Sequence, residues 1–107
     1  MGFEDWSEDT ILVDLPQEPE TGDELTTVTE MVRKRGNCNV VIDFSRLDTI
    51  SSATIARLLT LREALSDCGH RLTLCSISAA TKGIFTITGL DHTFEFADDK
   101  FGALAGA

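Results

Sequence analysis

Asp48-Thr49-Ile50-Ser51-Ser52-Ala53-Thr54-Ile55-Ala56-Arg57-Leu58-Leu59 is the stretch on which the reading of this chain turns. The run before it, Val40, Val41, Ile42 and Phe44, is short, β-branched and continuous, as in a central parallel strand buried on both faces. After it, Ile55, Leu58, Leu59 and Leu65 recur at helical spacing, with Arg57, Arg62, Glu63 and Asp67 largely between them. The two serines therefore stand where a strand hands over to an amphipathic helix. Ser51 or Ser52 suits the N-cap, because its oxygen accepts from a free N–H of the first turn. In open α/β sheets the carboxyl ends of strands are where ligands and partners are met.

Working outward, Thr10 to Leu15 reads as a strand with Ile11, Val13 and Leu15 on one face and Leu12 and Asp14 on the other, closed by Pro16. A shorter strand over Phe3 to Trp6 precedes it. Pro19, Thr21 and Gly22 read as a connection, and Asp23 to Arg35 as a helix striped with Leu25, Val28 and Val32. Asp23 and Glu24 in its first turn, and Arg33, Lys34 and Arg35 in its last, complement the helix dipole, and Gly36 is a natural stop. The spacing predicts the central helix over Ser52 to Asp67, closed by Gly69. A strand over Arg71 to Ile77, a helix over Ala79 to Thr88 ending at Gly89, and a last short strand within Leu90 to Phe96 follow. Asp98 to Ala107 reads as a partial helix and tail.

Strands alternating with helices indicate an α/β fold: a mixed, mostly parallel sheet of four to five strands with three to four helices. The expectation is a single domain over residues 1–107 with its core between about 10 and 96. Two strands joined by a helix cross over right-handedly, so the strands at 39–44 and 71–77 are expected to be parallel near neighbours.

At 42% hydrophobic and 25% charged residues the 107-residue chain has globular composition. Its net charge of −9 repels phosphate backbones and anionic lipid headgroups, so neither nucleic acid nor membrane insertion is expected, and the location expected is cytoplasmic. The amino end is acidic where a signal peptide is basic and then apolar. Cys38, Cys68 and Cys75 are odd in number and lack the C-x-x-C spacing, so they read as reduced thiols. His70 and His92 sit at no ligand spacing, and no metal or cofactor is expected. Enzymatic motifs are missing: no G-x-S-x-G surrounds the serines, and neither a Walker loop nor G-x-G-x-x-G occurs. Asp43 and Asp48 bracket the loop as solvent-facing turn residues, or as an Asx cap, rather than as an acid and base pair.

An exposed serine at a helix start needs no catalytic group to be a kinase target. A phosphoryl group there adds about −1.5 to −2 charges, enough to block a flat interface. The stretch Val40 to Leu59, with Val-Val-Ile-Asp-Phe-Ser at 40 to 45, Ser51-Ser52-Ala53-Thr54-Ile55 and then Thr88-Gly89-Leu90 and Phe94, resembles the STAS domain. That fold is shared by anti-sigma factor antagonists and the cytoplasmic tails of sulphate transporters. The family pattern is Asp-Ser-Ser-Gly-Leu opening the helix and Thr-Gly-Leu after the next one. By position, Ser51 stands at the family's Asp, Ser52 at its phosphorylated serine, Ala53 at its second serine and Thr54 at its glycine.

The resemblance implies an antagonist that binds an anti-sigma factor with serine kinase activity and is switched off by phosphorylation of Ser52, with Ser51 and Thr54 as rival acceptors. Asp43, Asp48, Ser51, Ser52, Thr54 and Arg57 are the partner-binding residues it implies, and a serine phosphatase is a further candidate partner. The alternative it implies is a non-switching adaptor or scaffold subunit of a larger complex, of the stressosome or lipid-transport ATPase kind.

Overall fold

The computed structural model describes residues 3–7, 10–17, 20–36, 38–47, 50–99 and 102. The elements run β1 (Phe3–Ser7), β2 (Thr10–Asp14), α1 (Glu20–Arg35), β3 (Asn39–Asp43), α2 (Ser52–Asp67), β4 (Leu72–Cys75), α3 (Ala79–Ile87) and β5 (Glu95–Ala97). The five strands form one sheet in chain order. β1 pairs antiparallel with β2, and every later pairing is parallel. The expected α/β architecture and the neighbouring placement of β3 and β4 are thus both present, with Val40 opposite Leu72 and Asp43 opposite Cys75.

Sequential order combined with right-handed crossovers leaves one side of the sheet for the connecting helices. Accordingly Ile11, Val13, Val40, Ile42, Leu72 and Leu74 from alternate strand positions form one core with Leu25, Val28 and Val32 of α1, Leu58, Leu61 and Leu65 of α2, and Phe85 of α3. On the opposite face Leu12, Val41 and Cys75 make a smaller buried cluster. β3 is therefore buried on both faces, but the described helices all lie on one.

Several boundaries differ from the sequence reading, those of α1, β4 and α3 among them. α1 begins at Glu20 instead of Asp23. Glu20 N–H donates to Gln17 O at 3.1 Å and the buried Thr21 hydroxyl donates to Pro16 O at 2.7 Å, so Thr21 and Gly22, read as part of a connection, lie in the helix's first turn, and Pro19 lies outside the described residues. β4 stops at Cys75 instead of Ile77, because Ser76 turns left-handed at φ 59° and sends its N–H to Asp98 O at 3.2 Å. α3 ends at Ile87, with Thr88 as its C-cap. The partial helix expected over Asp98 to Ala107 lies for the most part outside the described residues.

Candidate functional site

The carboxyl end of β3 leads into the serine turn through Phe44 to Leu47. Phe44 N–H donates to Cys75 O at 2.9 Å and Leu47 N–H to Phe44 O at 2.9 Å, while the Phe44 and Leu47 side chains are buried. Asp43 closes this turn from inside: its Oδ1 accepts from Ser45 N–H at 2.8 Å, an Asx turn, and the residue is 5% exposed. The expectation that Asp43 lies on the exposed surface beside the serines is therefore corrected. A carboxylate at a strand end is drawn inward when a backbone N–H two residues on is available to it. Asp48, its expected companion, lies outside the described residues.

Ser51 is the N-cap of α2. Its backbone is extended at φ −90° and ψ 164°, and its Oγ accepts from Thr54 N–H at 3.1 Å. The same oxygen lies 3.1 Å from Thr54 Oγ1, and Ser51 O accepts from Ile55 N–H at 3.1 Å. Thr54 is 1% exposed, so its hydroxyl is held inside the cap. Ser52 is different: it is the first residue of the helix, is exposed, and its hydroxyl makes no hydrogen bond among the described residues. No acidic residue occupies the first turn of α2, so the helix itself supplies no carboxylate to the positive end of its dipole.

The same cap recurs one strand further along. Ser78, at φ −66° and ψ 158°, accepts from Thr81 N–H at 3.2 Å and lies 3.1 Å from Thr81 Oγ1, and Thr81 is 1% exposed. Ser-x-x-Thr at 51–54 and at 78–81 is thus one device used twice, and the position after the second cap holds Ala79 where the first holds Ser52. The signal for both caps in the sequence is the Ser-x-x-Thr spacing itself.

Arg57 is exposed and leaves the serine turn for α1, where its Nη1 donates to Thr26 Oγ1. The expected site residues therefore separate into three groups. Ser51, Ser52 and Thr54 share one turn, Asp43 closes the turn before it through Ser45 N–H, and Arg57 ties the following turn to a neighbouring helix. Behind the site Cys75 is fully buried; burial first, and then the Asp43 carboxylate, push its thiol up to about 11. No group of three or more His, Cys, Asp or Glu among the described residues is placed to hold a metal ion, and no described helix is long and apolar enough to cross a membrane.

This fold and turn define a known class. The family model of the STAS domain matches residues 12–101, and the chain belongs to that family. A Bordetella bronchiseptica protein named as the anti-sigma factor antagonist BtrV is 32% identical over 71 residues, which are 66% of this chain and 61% of that relative. The match thus spans less than two thirds of the relative's length. Among solved structures, a Thermotoga maritima protein described as an anti-sigma factor antagonist superposes with a TM-score of 0.78 at 14% identity, over 97% of this chain and 91% of that one. The Bacillus cell fate determinant SpoIIAA in its phosphorylated form gives 0.73 at 16% identity, over 98% of this chain and 97% of that one. At such identities the likeness is one of fold.

Proposed function

We propose that this chain is an anti-sigma factor antagonist whose surface at the start of α2 binds an anti-sigma factor with serine kinase activity, and that phosphorylation of Ser52 ends the complex. The observation that carries the reading is the contrast within one turn: the Ser51 hydroxyl is spent on the cap and Thr54 is buried, while the Ser52 hydroxyl is exposed and makes no hydrogen bond among the described residues. A kinase needs a hydroxyl it can surround, which favours Ser52 over both rivals. The name of the Bordetella relative and the phosphorylated state of the Bacillus structure support the same reading.

The physical sequence is short. A phosphoryl group on the first helical residue meets the free N–H groups and positive dipole end of α2, so it is tolerated by the fold. Its about −1.5 to −2 charges and its bulk fall where the partner sat, so the complex loses its contact without the domain unfolding. In this reading the chain supplies no catalytic group of its own, a serine phosphatase resets it, and the cycle runs in the cytoplasm.

The test is a pull-down from lysate of the native host with wild-type protein and Ser52→Glu side by side, with retained proteins identified by mass spectrometry. The expected result is a protein with a kinase-type ATPase domain held by the wild type and lost by Ser52→Glu. Retention of the same scaffold or transporter proteins by both forms refutes the switch and favours a structural adaptor.

A further inference from the structure

We infer that Arg57 is a positioning residue, which holds the first turns of α1 and α2 as one rigid unit, so that the recognised surface includes the amino end of α1 beside Ser52. Its purpose rests on the reading above; its geometry does not.

Glycine in a helix is unfavourable relative to alanine, yet Gly22 stands in the first turn of α1. Its conformation is an ordinary helical one, so backbone freedom is not what requires it. Its neighbour is Arg57: a Cβ built on Gly22 would lie 2.9 Å from Arg57 Nε and 3.3 Å from its Cδ, so a side chain at residue 22 would push Arg57 from its present place. The Arg57 side chain therefore rests on bare backbone at residue 22, and one turn on its Nη1 donates to Thr26 Oγ1. Gly22 and Thr26 make a seat, and Arg57 fills it.

The position along α2 decides what the seat does. Arg57 lies three residues after Thr54 and six after the Ser51 cap, within the first two turns of the helix. Beyond it the two helices part around a cavity of about 200 Å³ lined by Thr26, Thr29, Glu30, Arg33, Arg57 and Thr60. The polar bridge is therefore at the end of the helix pair nearest the serine turn. Both helices also start from the carboxyl ends of adjacent parallel strands, β2 and β3. A partner covering Ser52 meets two helix starts whose spacing Arg57 fixes.

The experiment is backbone amide hydrogen exchange on the free, intact chain for wild type, Gly22→Ala, Arg57→Ala, Arg57→Lys and the Gly22→Ala/Arg57→Ala pair. The amides read are Thr54 and Ile55 at the cap, with Leu61 and Leu65 of the same helix as controls. Each of Gly22→Ala and Arg57→Ala is expected to speed exchange at the cap amides by about fivefold, the scale of one hydrogen bond, with the controls unchanged. The double variant is expected to be no faster than either single one, because both remove the same seat. Arg57→Lys keeps the charge but not the planar group and is expected to behave as Arg57→Ala.

Gly22→Ala gives the sharpest separation. If residue 22 matters only as a helix position, alanine protects α1 and leaves the α2 cap unchanged, and the inference falls. Effects that multiply in the double variant, or an equal rise at the control amides, also overturn it. Because these readouts use no partner, failure of the pull-down above leaves this result standing, and the reverse holds as well.

Discussion

Replacing Ser51 and Ser52 one at a time by alanine separates the structural serine from the free one. Ser51→Ala removes the acceptor of Thr54 N–H and the neighbour 3.1 Å from the buried Thr54 hydroxyl. Loss of a serine N-cap costs about 1 kcal/mol, within a range of about 0.5 to 2. The hydroxyl pair contributes about 0.5 to 1.5 kcal/mol more, and since both contacts use one oxygen the two do not simply add. The expected loss is thus about 1 to 2 kcal/mol, or roughly 4 to 15 °C in Tm for a domain of this size. Ser52→Ala removes no hydrogen bond and is expected to stay within about 0.5 kcal/mol of wild type. Ser51→Asp restores an acceptor of equal capping rank and should recover most of the loss. Urea titrations followed by circular dichroism read all three, with an unchanged m-value licensing the comparison. Equal destabilisation by Ser51→Ala and Ser52→Ala, or a Ser51→Asp variant as weak as Ser51→Ala, would refute the division of labour drawn here.

Other outcomes concern the core and its edges. Phe85 is fully buried and meets Phe94 and Phe96 edge to face, each at 5.6 Å between ring centroids, so Phe85→Ala is expected to cost about 3 to 5 kcal/mol by urea unfolding; a cost under about 1 would mean that β5 does not close over it. Of the three thiols, the exposed Cys68 should react promptly with a disulfide reagent at neutral pH while Cys38 and Cys75 react only on unfolding, as counted by mass spectrometry. With its thiol pushed from the ordinary 9.0 to about 11, Cys75 favours the folded state below pH 9.0, and that contribution is lost as pH climbs to about 11; Cys75→Ala should flatten the alkaline limb of stability against pH. Arg71 donates Nε–H to Glu95 Oε2 at 2.9 Å, and that hydrogen bond holds the Glu95 carboxyl below its ordinary 4.5. The stabilisation is present above pH 4.5 and disappears as pH falls through the lowered value, so Glu95→Gln should remove a small part of the acid-side loss, small because the pair is exposed; a larger acid-side loss in the variant would contradict the pairing.

The alternation of elements, the helix over Ser52 to Asp67 and the facing of Ile11, Val13 and Leu15 were legible because each is a local pattern, set by period and by capping chemistry. What was not legible depends on which groups the folded chain brings together, some a few residues apart and some distant. Thr21 and Gly22 carry connection signals; the carbonyl of Pro16 anchors Thr21 in the helix's first turn, and Gly22 leaves room there for the side chain of Arg57, 35 residues on. Asp43 has the composition of a surface turn and is drawn inside by Ser45 N–H, a choice made by the path of the turn and not by the residue type. For the site, the sequence located the turn but could not divide Ser51 from Ser52, since either serine can cap. The division needed the observed acceptor at Ser51 and the burial of Thr54. Arg57 is placed at the site by the resemblance, and its Nη1 donates to Thr26 Oγ1 of the neighbouring helix, a contact between residues 31 apart that no local pattern announces.

The sheet runs β1, β2, β3, β4, β5 without a single exchange of neighbours. A chain leaving the ribosome amino end first can therefore add each strand to an edge already formed, with the intervening helix laid over the strands just placed. No strand has to be threaded between two that are already paired. The parallel pairings are long-range contacts, which ordinarily slow folding, but here each one spans only a single crossover. The last addition, β5, brings Phe96 against Phe85, so the α3 end of the core is sealed by the final strand to arrive.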